Sequence, residues 1–147
     1  KPLPLLIADL KREIVDSILM KNNIYHIINL VYTPGYISNN HLPYIYSAAK
    51  IFLYPSLRES FGIPILESMA CGTPVITSKR SAMPEIAGEN AILINPDDHY
   101  TIAGEIRKLL IDRDYYASKV EYGLERAKYF SWKSTAERLK SIYESME

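Results

Sequence analysis

Residues 54–77 read YPSLRESFGIPILESMACGTPVIT, and the pattern of this stretch decides the fold. It leaves an apolar run, KIFLY at 50–54, whose branched and aromatic side chains suit a buried strand. Pro55 has no amide hydrogen and ends that strand. From Ile63 the spacing changes: Ile65, Leu66, Met69 and Ala70 recur every three to four residues, which predicts a short helix with one buried face. Pro64 fits the first turn of such a helix, where its missing donor would have no partner. Gly72 then stops the helix and the TPVIT run restarts a strand. Strand, loop, helix and strand make a βαβ unit, so the sheet is expected to be parallel and the fold class α/β.

In parallel sheets of this kind, ligands bind beyond the carboxyl ends of the strands, where helix N-termini offer free amides and partial positive charge. Two acids flank that position, Glu59 and Glu67, with seven residues between them. Carboxylates accept hydrogen bonds from hydroxyls, so the pair suits a polyol such as a ribose or a hexose. Gly62, which has no Cβ, lets a ligand approach the backbone closely. Taken alone, an acid such as Glu59 is more often a solvated loop residue than a ligand-binding one. Glu67 is harder to dismiss, because it rides on an apolar helix and must find a partner or meet solvent in a cleft.

The run ESFGIPILESMACGTPVITS at 59–78 resembles the donor-binding signature of retaining family 4 glycosyltransferases, which have the two-domain GT-B architecture. The likeness extends to LPLLIAD at 3–9, PGYIS at 34–38, SAMPEIAGENAILINPDD at 81–98 and ERAKYFSW at 125–132. The SAMPE segment and the Pro-Gly-Tyr turn look most like mannosyltransferase-like members. The resemblance implies that residues 1–147 form a single Rossmann-like domain that binds a nucleoside-diphosphate sugar. It also implies that the N-terminal acceptor domain and the first strand and helix of this domain are lacking, together with the family's pyrophosphate-binding Arg and Lys. Glu67 would hold the ribose hydroxyls, and Glu59, the catalytic candidate, the hydroxyls of the transferred hexose. The amides of Phe61, Gly62 and Ile63 would meet sugar or phosphate, and Tyr36 and Ile37 would line the base pocket. Glu85 matches an acid that braces its own loop. No metal and no cofactor are required, because cationic side chains and a helix end serve the diphosphate. The expected partners are the donor, the N-terminal domain of the same chain, and a sugar or lipid-linked acceptor. The isolated domain is expected to be inactive.

Two other readings stay open. One is a different enzyme of the same two-domain shape, a sugar phosphorylase or epimerase, although no phosphate-binding basic set or pyridoxal lysine is specified. The other is a non-catalytic nucleotide-sugar-binding domain.

Along the rest of the chain, Leu5–Ala8 reads as a strand, and Asp9 as the cap of a helix with Leu10, Ile14, Ile18 and Leu19 on its apolar face. Ile27–Tyr32 reads as a strand that turns out through Pro34-Gly35, and Asn40 as the cap of a helix over 42–49. A short helical turn is expected at 84–87 and a strand at 91–94. A helix capped by Asn95, Asp97 and Asp98 should follow, with Ile102, Ile106, Leu109 and Leu110 apolar. Another helix is expected over 114–129, then a last one capped by Ser131, whose Trp132, Leu139, Ile142 and Tyr143 would leave an apolar stripe exposed. Lys79 and Arg80 could reach a phosphate, although such loop charges are more often simply solvated. The tyrosines fall mostly at core-like positions.

Composition narrows the function classes. Seventeen basic and seventeen acidic residues balance, without the basic stripe a nucleic-acid partner would need. No apolar run reaches the ~18–20 residues of a membrane span. A cytoplasmic location is expected, with peripheral membrane contact through the absent half left open. The single cysteine, Cys71, excludes an internal disulfide and reads as a small buried residue rather than a nucleophile. His26, His41 and His99 lack metal-ligand spacing.

Overall fold

The computed structural model describes residues 3–146. The chain divides into two compact units, Lys1–Leu42 and Pro43–Glu147. Both are α/β, with parallel strands and flanking helices.

In the first unit, β1 (Leu5–Ala8) pairs in parallel with β2 (Val31–Gly35), in the register Leu5 to Val31 and Ala8 to Gly35. Between them lie α1 (Arg12–Lys21) and a 3-10 turn over Tyr25–Leu30. Val15, Leu19 and Val31 form the core of this unit, with Ile7, Leu10, Ile27 and Ile28 against it. Three expectations are corrected here. Asp9 does not cap α1; it sits at φ 58°, and its amide donates to the Gly35 carbonyl at 3.0 Å. That left-handed turn delays the helix to Arg12 and rotates its buried face, so Val15 and Leu19 are inside while Ile14 and Ile18 are exposed. The third concerns the strand expected from Ile27, which begins only at Val31 and runs on through the Pro34-Gly35 pair. A continuous apolar run has no periodicity to separate strand from 3-10 turn, and the pairing partners in β1 settle the outcome.

In the second unit, β3 (Phe52–Tyr54), β4 (Val75–Ser78) and β5 (Ile92–Ile94) form a parallel sheet in that order. The central strand β4 is buried along its whole length, as expected of a parallel strand covered on both faces. Successive β4 residues enter opposite cores because side chains alternate along a strand. Val75 joins Ile65, Met69, Met83, Ile86 and Ala87 on one face, and Ile76 joins Ile92, Ile94 and Leu109 on the other.

The helices of this unit are α2 (Leu42–Ala48), α3 (Ile63–Ala70), α4 (Met83–Ala87), α5 (His99–Ile111), α6 (Arg113–Lys128) and α7 (Trp132–Glu144). Three have side-chain caps that satisfy otherwise orphaned amides. Asp98 accepts from the Thr101 amide at 3.1 Å, Asp112 from Tyr115 at 2.8 Å and Ser131 from Ser134 at 3.0 Å. Helix α3 packs on α6 closely enough that a Cβ added to Gly123 would lie 3.2 Å from Met69 Cγ. Ala70 and Leu110, expected inside, are exposed. Of the twelve tyrosines only Tyr46 is buried among the described residues, so core packing does not account for most of them. In α7, Trp132, Leu139, Ile142 and Tyr143 are exposed, as expected.

Candidate functional site

Strand β3 delivers Tyr54 to the carboxyl edge of the sheet, and the loop that follows carries Glu59 back to it. The Tyr54 hydroxyl donates to Glu59 Oε1 at 2.7 Å, and the Ser56 hydroxyl donates to the same oxygen at 2.9 Å. Burial, followed by the bond to Glu59, pushes the Tyr54 phenol up to about 12, so it stays protonated and donating at neutral pH. The Glu59 main chain is held from the other side. Ser81, in the loop after β4, donates its hydroxyl to the Glu59 carbonyl at 2.7 Å and accepts the Glu59 amide at 3.4 Å.

Glu67 lies half-buried on α3. The Tyr46 hydroxyl donates to its Oε2 at 3.1 Å, while the Tyr46 carbonyl accepts from the Thr73 hydroxyl at 2.6 Å. Burial and then the Glu67 carboxylate raise the Tyr46 phenol well above the ordinary tyrosine range. Each acid of the pair thus has one oxygen engaged by a tyrosine. The other oxygen of each has no donor among the described residues.

Between the two acids, Gly62 adopts φ 97° and opens α3. A side chain there would be strained by that angle and would meet Ile65 Cδ1 at 3.1 Å, which is why glycine occupies the turn. Pro64 has no amide hydrogen, and the Ile65 amide turns back to the Gly62 carbonyl at 3.0 Å. The amides of Phe61, Gly62 and Ile63 meet no carbonyl among the described residues. The Phe61 ring meets Phe130 edge-on at 6.0 Å, and the Arg126 guanidinium lies over Phe130 at 4.9 Å. This contact fastens the loop to the end of α6.

Tyr36 and Ile37 follow Gly35 in the first unit, whereas the other candidates belong to the second. Tyr36 is 78% exposed and Ile37 half-buried. Glu85 is exposed and contributes its carbonyl to the Arg126 side chain. Arg80 is engaged by Asp97 and Asn95 across the β4–β5 edge, while Lys79 is exposed. Cys71 is a free thiol at the end of α3. Among the described residues no His, Cys, Asp and Glu cluster could hold a metal ion, and no helix is long and apolar enough to cross a membrane.

Tyr46, Tyr54, Ser56 and Ser81 complete the arrangement, and the sequence reading had not placed them in it. Tyr54 and Ser56 lie within five residues of Glu59, so a hydroxyl count around the first acid would have found them. Ser81, 22 residues away, left no local signal.

The family profile described as "Glycosyl transferases group 1" matches residues 15–126. Among curated proteins, the chain is 38% identical over 109 residues to the O-antigen chain mannosyltransferase B of Escherichia coli, which covers 74% of this chain and 29% of that protein. It is 35% identical over 107 residues to the serotype-specific mannosyltransferase WbdA of Escherichia coli, covering 73% of this chain and 13% of that protein. The chain therefore spans less than a third of the length of either relative. Among solved structures, sucrose-phosphate synthase from Thermosynechococcus elongatus superposes with a TM-score of 0.83 at 27% identity, over 97% of this chain and 38% of that one. HepE from Anabaena, solved in complex with UDP, superposes at 0.86 with 20% identity, over 97% of this chain and 41% of that one, and shares the fold. These neighbours are GT-B glycosyltransferases, and the α/β arrangement described above is common to them. On a profile match that spans most of its length and on relatives of this similarity, the chain belongs to the glycosyl transferases group 1 family.

Proposed function

We propose that this chain is the donor-binding part of a hexosyltransferase that moves a sugar, mannose by analogy with its named relatives, from a nucleoside diphosphate to a glycan or lipid-linked acceptor. The observation that carries the reading is the pair of half-engaged carboxylates. Glu59 and Glu67 each offer one oxygen that has no donor among the described residues, on either side of a glycine turn whose amides also meet no carbonyl there. Hydroxyl-rich and anionic groups on one ligand would satisfy both.

In this reading Glu67 binds the ribose and Glu59 the transferred hexose. The Phe61–Ile63 amides and the start of α3 stabilise negative charge building on the departing diphosphate. Tyr36 and Ile37 take the base, and transfer retains anomeric configuration, as the family resemblance implies. No metal or cofactor is required. The acceptor is supplied to the site by an N-terminal domain, so the 147-residue chain alone binds donor but does not turn it over. Any peripheral membrane contact belongs to that other domain as well.

An NMR titration of the chain with UDP, GDP and ADP and their hexose conjugates tests the reading, with Glu67→Ala as the control. Saturable shifts at Tyr36, Glu59–Ile63 and Glu67 are expected, at an affinity on the order of millimolar, and weakened by the substitution. A folded chain that responds to none of these ligands would overturn the reading.

A further inference from the structure

The way Glu59 is mounted carries an inference that rests on the donor-site reading and deepens it. Ser81 adopts φ 54°, a left-handed conformation that side chains other than glycine seldom take. Its neighbours leave it little freedom. The Lys79 amide donates to the Ile94 carbonyl at 2.8 Å, the Arg80 amide donates to the Ser78 hydroxyl at 3.1 Å, and Met83 just beyond is fully buried. In that fixed position the Ser81 hydroxyl makes its reciprocal pair with the main chain of Glu59.

The other anchor is as firmly rooted. The Tyr54 carbonyl accepts from the Thr77 hydroxyl at 3.0 Å, and its ring stacks on Phe52 at 5.6 Å against the core formed by Ile65 and Met69. From there the phenol reaches Glu59 Oε1, which the Ser56 hydroxyl also meets. Two donors fill one carboxylate oxygen and two main-chain bonds fix the backbone behind it. A loop acid held in this way has a defined direction for its second oxygen, which is what recognition of a hydroxyl pair needs.

We propose that Ser81 and Tyr54 are positioning residues for Glu59, aiming its Oε2 at the hydroxyls of the donor's hexosyl group. They touch no ligand themselves; their effect should appear only when a sugar is present.

The test compares GDP with GDP-mannose, and UDP with UDP-glucose, in NMR titrations of the full chain and of Tyr54→Phe and Ser81→Gly. The first variant keeps the ring and removes only the donor. The second removes the hydroxyl together with the backbone strain, so a loss cannot be ascribed to misfolding of the turn. In the unsubstituted chain the sugar conjugate should shift Glu59–Gly62 amides beyond the shifts given by its diphosphate. Both variants should bind the conjugate about tenfold more weakly, a hydrogen bond's worth, while diphosphate affinity stays within about twofold. Equal loss for conjugate and diphosphate, or no loss for either, would overturn the positioning role. An unsubstituted chain that binds neither compound would instead overturn the donor-site reading, and this inference with it.

Discussion

The Tyr46 hydroxyl donates to Glu67 Oε2 at 3.1 Å, and this one bond ties α2 to the second acid of the pair. Because the Tyr46 carbonyl also accepts from the Thr73 hydroxyl at 2.6 Å, α2, α3 and the turn before β4 meet at one residue. Tyr46→Phe keeps the edge-on contact with Phe52 at 5.2 Å and removes only the phenol oxygen. We expect a stability loss of about 1 kcal/mol, read by urea denaturation, because a single hydrogen bond to a carboxylate is lost without a cavity. Nucleotide affinity should fall as well, since Glu67 would be free to rotate away from the ribose. Unchanged affinity would show that Glu67 needs no brace.

A pH dependence follows from Tyr54. Its phenol has an ordinary value of 10.0 and is raised in the fold to about 12, burial first and the Glu59 bond second. A folded value above the unfolded one means the protonated form contributes stability below pH 10, and that this contribution is lost as pH rises toward 12. The denaturation midpoint of the unsubstituted chain should therefore fall more steeply between those limits than that of Tyr54→Phe. Parallel curves would mean that the phenol does not titrate with folding.

Much of this was legible because punctuation and period coincide in 54–77. Pro55, Gly62 and Gly72 bracket one strand and one helix, and the bounds of α3 came out at Ile63–Ala70. Asp98 and Ser131 were readable as caps for the same local reason. Where the reading failed, the deciding partner lay elsewhere in the chain. Asp9 could look like a cap, yet its conformation is set by a bond to Gly35, and the Ile27–Leu30 run was denied a strand because β1 pairs only from Val31. The acids themselves were visible, but what fixes them was not. Ser81 and Tyr46 reach Glu59 and Glu67 across 22 and 21 residues, a distance over which sequence spacing carries no orientation.

Two helical glycines should respond to alanine with opposite sign. Gly104 in α5 has nothing within 4 Å of the position its Cβ would take, so Gly104→Ala should gain about 0.5–1 kcal/mol from the reduced freedom of the unfolded chain. Gly123 in α6 faces Met69, whose Cγ would lie 3.2 Å from an added Cβ and whose Cα would lie 3.6 Å away. Gly123→Ala should therefore lose about 1–3 kcal/mol through overpacking of the α3–α6 contact. Thermal denaturation of both variants, measured side by side, checks the contrast; a gain at both positions would mean that α6 can move off α3 freely.

The turn after α4 makes the sharpest demand on a single residue. Gly88 sits at φ 82°, and a Cβ there would fall 2.1 Å from the Tyr122 hydroxyl and 3.1 Å from Arg126 Nε. Those two groups donate to the Ala87 and Ile86 carbonyls, each at 3.0 Å, and so fasten α6 to the end of α4. Gly88→Ala would strain the backbone and evict Tyr122 from its bond together. The expected cost is about 2–4 kcal/mol, the sum of an unfavourable φ and one or two lost hydrogen bonds. A partner substitution separates the two contributions. Tyr122→Phe alone removes the hydroxyl and one bond, so the double variant should recover the steric part of the loss and retain the φ part. Additive losses in the double variant would show that the added methyl leaves the Tyr122 bond to Ala87 in place.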